Sequence, residues 1–114
     1  MLEALWTVEF GSNLGNFGAG VAIFETGRIL GGDSSFTYEG SYCVNDGSIS
    51  AEIEVKKHSE TLNMQSVFGP LSQFHLKLVG PANPNRICLR GIVVENPSLQ
   101  IVINGVRRAE LPNP

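Results

Sequence analysis

Cysteine is scarce in this 114-residue chain: Cys43 and Cys88 are the only two, and they lack the spacing of a metal site. That argues against a disulfide scaffold and a cysteine-rich zinc centre, and both residues are expected as free thiols on strands. Charge is scarce too, at 17% of residues, with 8 Lys and Arg against 11 Asp and Glu and a net of −3. A general nucleic-acid binder carries a basic patch or tail, so direct nucleic-acid binding is not expected. The densest basic pair, Arg107-Arg108, reads as a solvated strand end. Long apolar runs are missing as well. None approaches the ~20 residues that a membrane-spanning helix needs, and no membrane association is expected. Met1-Leu2-Glu3-Ala4 lacks the basic start of a signal peptide, and Glu9 interrupts the first apolar stretch. The nearest approach to a glycosylation sequon, Asn96-Pro97-Ser98, is disqualified by its proline. A cytoplasmic location is the expectation. With 42% hydrophobic residues the chain is too apolar for disorder. Its length fits one domain over residues 1–114.

What the chain does have is alternation with a period of two. Ile49, Ala51, Ile53 and Val55 alternate with Ser50, Glu52, Glu54 and Lys56, as in a strand with one wet face. Trp6, Val8 and Phe10 alternate with Thr7 and Glu9. Phe36, Tyr38, Tyr42 and Val44 share one parity, and Phe74, Leu76 and Leu78 repeat the pattern around His75 and Lys77. Three further apolar segments, Phe17 to Phe24, Arg86 to Val94 and Leu99 to Ile103, read as strands buried more fully or on mixed faces. Thr26-Gly27 and Asn45-Asp46-Gly47 supply hairpin turns, and the Gly80 to Pro84 and Glu95 to Ser98 stretches break the chain elsewhere. Asn104-Gly105 reads as a bulge in the last strand, or else as the turn of a final short hairpin. Ser59 to Ser72 lacks alternation and suits a short helical turn or an ordered crossing that ends at Gly69-Pro70.

About seven to nine strands in up-and-down order imply a sheet that curls and closes on itself. The expected fold is all-β: a small up-and-down antiparallel barrel of about eight strands, lipocalin-like, with a two-sheet sandwich as the alternative. Glycines inside strands (Gly18, Gly20, Gly31, Gly32, Gly40 and Gly91) permit the coiling a small barrel needs. Such a barrel is either filled by side chains or holds one small ligand. Phe10, Phe36, Tyr38 and Tyr42 are the candidates to line a cavity. A buried phenol needs a hydrogen-bond partner, so Tyr38 and Tyr42 either pair within the core or aim their hydroxyls at a ligand.

Residues that suggest chemistry carry blander readings. The Gly15-Asn16-Phe17-Gly18-Ala19-Gly20 stretch looks like a phosphate loop, but Val21-Ala22-Ile23-Phe24 follows as a strand rather than a helix. His58 and His75 come without HExxH, a cysteine cluster or G-x-S-x-G, and read as solvated side chains. Glu52, Glu54 and Lys56 form a solvent stripe, and Asp33 is expected to fix a turn through backbone amides. No catalytic residue, metal site or cofactor is expected.

Several features of the N-terminal half resemble one family. They are Trp6-Thr7-Val8-Glu9-Phe10, then Gly18-x-Gly20-Val21, a turn at Gly27, Gly31-Gly32-Asp33 and Tyr38-x-Gly40. The pattern, from about Leu5 to His58, resembles the GrlR-type negative regulators of type III secretion. The resemblance implies a lipocalin-like barrel that forms a homodimer and represses by binding a protein partner, a transcriptional activator, without enzymatic activity. Those regulators carry an acidic partner-binding loop after the Tyr-x-Gly strand. Here Asn45, Asp46 and Gly47 occupy that place, with one acid, and are the candidate partner contact. Three classes of function follow: a regulatory protein-binding module, a carrier or sensor of a small apolar ligand, and an enzyme on a barrel scaffold. A filled interior favours the first and a lined cavity the second.

Overall fold

The computed structural model describes residues 2–58, 66, 68 and 71–113, so most of the Ser59 to Ser72 expectation, and all of its Gly69-Pro70 stop, lies outside the described residues. Eight strands follow one another: β1 (Ala4–Ser12), β2 (Phe17–Glu25), β3 (Arg28–Gly32), β4 (Phe36–Asn45), β5 (Ser48–Lys57), β6 (Gln73–Pro81), β7 (Arg86–Val93) and β8 (Asn96–Ala109). Each pairs antiparallel with the next, and β8 pairs back onto β1 to close an up-and-down barrel. The sandwich alternative is thereby eliminated. Among the described residues no helix is long and apolar enough to cross a membrane.

Alternation places one parity of each strand inside. On β5, Ile49, Ala51, Ile53 and Val55 are buried, while Ser50, Glu52 and Lys56 are exposed. Trp6 and Val8 of β1, Phe74, Leu76 and Leu78 of β6, and Ile101 and Ile103 of β8 join them in the core. Register is pinned by the turns. Thr26 and Gly27 have φ of 47° and 82°, and Asp46 and Gly47 have 51° and 75°. Two successive positive values are what a two-residue hairpin needs to match strand twist.

Of the two readings of the Phe17 to Phe24 segment, mixed faces is the one observed, with Ala22 and Phe24 inside but Phe17, Val21 and Ile23 exposed. Two expectations are corrected. Asn104-Gly105 is neither a turn nor a bulge. Val8 faces Gly105 and Glu9 faces Asn104 in an unbroken ladder, and the register shift lies opposite Leu5 and Trp6. The glycine is there for space, since a Cβ would come 2.7 Å from Ile87. Arg107 is not merely a solvated strand end. It is half-buried, and its guanidinium donates to the carbonyls of Glu3 at 3.1 Å and Pro84 at 3.2 Å.

Candidate functional site

The two ends of the barrel are built differently. At the end where β1 begins, Leu2, Ala4 and Trp6 are buried, and the Trp6 indole donates to the Leu2 carbonyl at 3.0 Å. Arg107 covers the indole from 6.0 Å, a cation–π arrangement. Ile49 and Leu78 fill the space beneath. This end is plugged.

The other half is hollow. A cavity of about 250 Å³ runs through the barrel interior between Phe24, Ile53, Leu89 and Ile103. It reaches the surface beside Phe17 and Ser34, both exposed. Phe10 and Tyr38 meet edge to face inside it, ring centroids 6.4 Å apart, and Phe68 and Phe74 do the same at 5.3 Å. Such aromatic pairs add stabilisation beyond the area they bury. The missing side chains of β2 make the room. A Cβ on Gly18 would come within 2.5 Å of the Phe10 ring, and one on Gly20 within 2.6 Å of the Tyr38 hydroxyl.

Polar groups gather on one side of the cavity, where the β3–β4 loop contributes Asp33, Ser34 and Ser35 and Ser66 lies alongside. The Asp33 carboxylate organises this loop. Its Oδ1 accepts the amides of Ser35 at 2.9 Å and Phe36 at 2.8 Å, and its Oδ2 accepts the Tyr38 hydroxyl. His58 closes the loop from outside, its amide donating to the Ser35 carbonyl at 2.8 Å and its Nε2 contacting the Asp33 carbonyl at 3.0 Å. Burial, then the bond to Asp33 and its charge, push the Tyr38 phenol well above its ordinary value of 10.0. The hydroxyl is held as a donor to Asp33.

Of the four residues expected to line a cavity, Phe10, Phe36 and Tyr38 do so. Tyr42 does not belong to the lining; it packs against Phe24 at 5.0 Å nearer the plugged end, and burial raises its phenol against a smaller opposite pull from the Gly27 backbone. The turn Asn45-Asp46-Gly47 is exposed and joins β4 to β5 at the plugged end, so the structure does not bring it to the cavity. Sequence reasoning missed Asp33 as a lining residue, because its turn-forming role was sufficient explanation. It also missed Phe68, which lies in the segment without alternation. Ile87, Leu89, Ile101 and Ile103 were within reach, since they share inward parity on β7 and β8.

On the outer surface β5, β6 and the β7–β8 turn assemble a charged cluster. His75 Nδ1 lies 2.5 Å from Glu95 and its Nε2 lies 3.2 Å from Glu54. Glu54 also accepts from Gln73 at 3.0 Å. Hydrogen bonding to Glu95 is the main cause that raises His75 above 6.5, and the same bond lowers Glu95.

No family model matches the chain, and no curated protein matches it. Among solved structures it is similar to a redesigned β-barrel, with a TM-score of 0.49 and 10% identity over 94% of this chain and 91% of the other.

Proposed function

We propose that the protein is a binding protein whose site is the barrel interior and whose ligand is a small apolar molecule. The observation that carries this reading is the cavity of about 250 Å³, walled by apolar side chains and continuous with the surface. It approaches the lower end of the usual ligand-pocket range, about 300 Å³. By proportion to an apolar cavity of ~150 Å³ that takes one benzene, about ten heavy atoms fit. Naphthalene is a suitable probe. Its fluorescence should titrate saturably with wild-type protein, and Ala22→Leu, which fills the cavity from β2, should abolish binding while the chain stays folded. Absence of saturable binding to the wild type overturns the reading.

A second reading has its own support. Phe17, Val21 and Ile23 form an exposed apolar row along the outside of β2, and Leu30 of β3 extends it beside Ile23. Contiguous exposed apolar surface marks interaction sites. Together with the glycine framework it supports a cytoplasmic, GrlR-like regulator that forms a homodimer and binds a protein partner such as a transcriptional activator. Light scattering on the wild type and on Ile23→Lys tests the dimer. A wild-type monomer at all concentrations would remove that part of the reading.

A further inference from the structure

The interior is not uniformly apolar, and its polar side has one sign of charge. Among the described residues that line the cavity, Asp33 is the only charged one. Asp33 makes no ion pair among the described residues: its oxygens accept two amides and the Tyr38 hydroxyl, all of them uncharged donors. A carboxylate offers about four acceptor positions, so three are engaged by neutral donors and no salt bridge to a described residue balances its charge. No basic side chain belongs to the described lining. His58 spends Nε2 on the Asp33 carbonyl, and Lys57 ends β5, half-buried and opposite Phe36.

We propose that the cavity discriminates by head-group charge: it takes a neutral amphiphile whose polar end donates a hydrogen bond, and rejects the corresponding carboxylate. This inference rests on the interior being the binding site, and it names the class of ligand. The apolar walls bury the tail. The head then meets the side bearing Asp33 and Tyr38, where a hydroxyl can donate to the remaining acceptor position of the carboxylate. A ligand carboxylate has no proton to donate there. It must also approach a like charge at the half-buried Asp33, where Coulomb repulsion is stronger than in bulk water. Fatty acids, the obvious tenants of an apolar barrel, are therefore the wrong class for this one.

The test compares 1-octanol with octanoate at pH 7.5, both followed by amide shifts in protein NMR spectra, with naphthalene as a control for the cavity itself. Octanol should bind saturably with shifts at Gly20, Ala22 and Tyr38, and octanoate should bind about tenfold or more weakly. Asp33→Asn, which keeps an oxygen for the loop amides, should narrow that ratio, and its melting curve shows whether the loop survived. If that variant fails to fold, the wild-type ratio still decides. Equal affinities for octanol and octanoate overturn the proposal, even when naphthalene binds. Naphthalene failing to bind instead overturns the broader reading on which it rests.

Discussion

Gly18 and Phe10 face each other across the β1–β2 ladder, and their relation shows how single residues shape the hollow. The three nearest atoms to a Cβ at Gly18 all belong to the Phe10 ring, the nearest at 2.5 Å. Real Cβ atoms do not sit that close, so Gly18→Ala forces the ring off its position or the strand outward. Overpacking of this kind costs about 1–3 kcal/mol. Because the obstacle is one side chain, the cost should be conditional on it. In a double-mutant cycle, Gly18→Ala in a Phe10→Leu background should cost roughly 1 kcal/mol less than in the wild type. Urea unfolding of the four proteins measures this. Additive effects would show that the glycine is needed for strand coiling rather than for the ring. Gly20 stands in the same relation to the Tyr38 hydroxyl, but the Gly32 carbonyl at 2.9 Å also blocks a Cβ there, so relief by changing Tyr38 would be partial.

At the scale of the strands, the outer face of β5 and β6 carries a pH dependence with a definite sign. His75 is raised above 6.5, chiefly by its hydrogen bond to Glu95, with Glu54 contributing charge. A group with a raised folded value stabilises fully below its unfolded value and loses that contribution as pH climbs through the folded one. Glu95 and Glu54 are lowered from 4.5, Glu95 chiefly by His75 and Glu54 chiefly by the Gln73 amide. Their contribution is present above 4.5 and is lost as pH falls through the folded values. The cluster therefore supports the fold best between 4.5 and 6.5. His75 and Glu95 are exposed and Glu54 is half-buried, so the effect should be small. The urea midpoint of the wild type should drop more between pH 5.5 and pH 8.5 than that of His75→Gln. Equal drops would show that the cluster does not act on stability. The strands that build this face were the most legible in the sequence, because Ile49 to Lys56 and Phe74 to Leu78 alternate cleanly between apolar and polar. β2 was less so. Val21 and Ile23 are as apolar as the core residues they alternate with, so parity could not say which side was wet. The candidate site was only partly readable. Phe10, Phe36 and Tyr38 follow from parity, whereas the choice between a filled and a hollow interior depends on volumes summed across eight strands.

For the whole molecule, the consequence is a barrel with a packed half and a hollow half, and equal substitutions should not cost the same in each. Ile49 and Ile53 lie on the same face of β5 and are both buried, yet only Ile53 borders the cavity. At Ile49 the side chain is enclosed on every side, with 0% exposure, so truncation to alanine leaves a new void. Such losses run about 2–5 kcal/mol and grow with the void that remains. Ile49→Ala should fall near the top of that range. Ile53 already faces open space on one side and has fewer contacts to lose. Ile53→Ala should cost about 2 kcal/mol, at the bottom of the range. Ligand separates the two further. Anything that binds the native barrel stabilises it by mass action, and an enlarged cavity still has walls for naphthalene to contact. Added naphthalene should therefore raise the midpoint of Ile53→Ala, as it raises that of the wild type. It should not restore Ile49→Ala beyond that common increment, because the new void there lies outside the ligand's reach. Urea unfolding with and without naphthalene measures all of this on the same proteins. Equal costs at the two positions would mean that the interior collapses around the cavity in solution, and the hollow half would then have no counterpart in the working molecule.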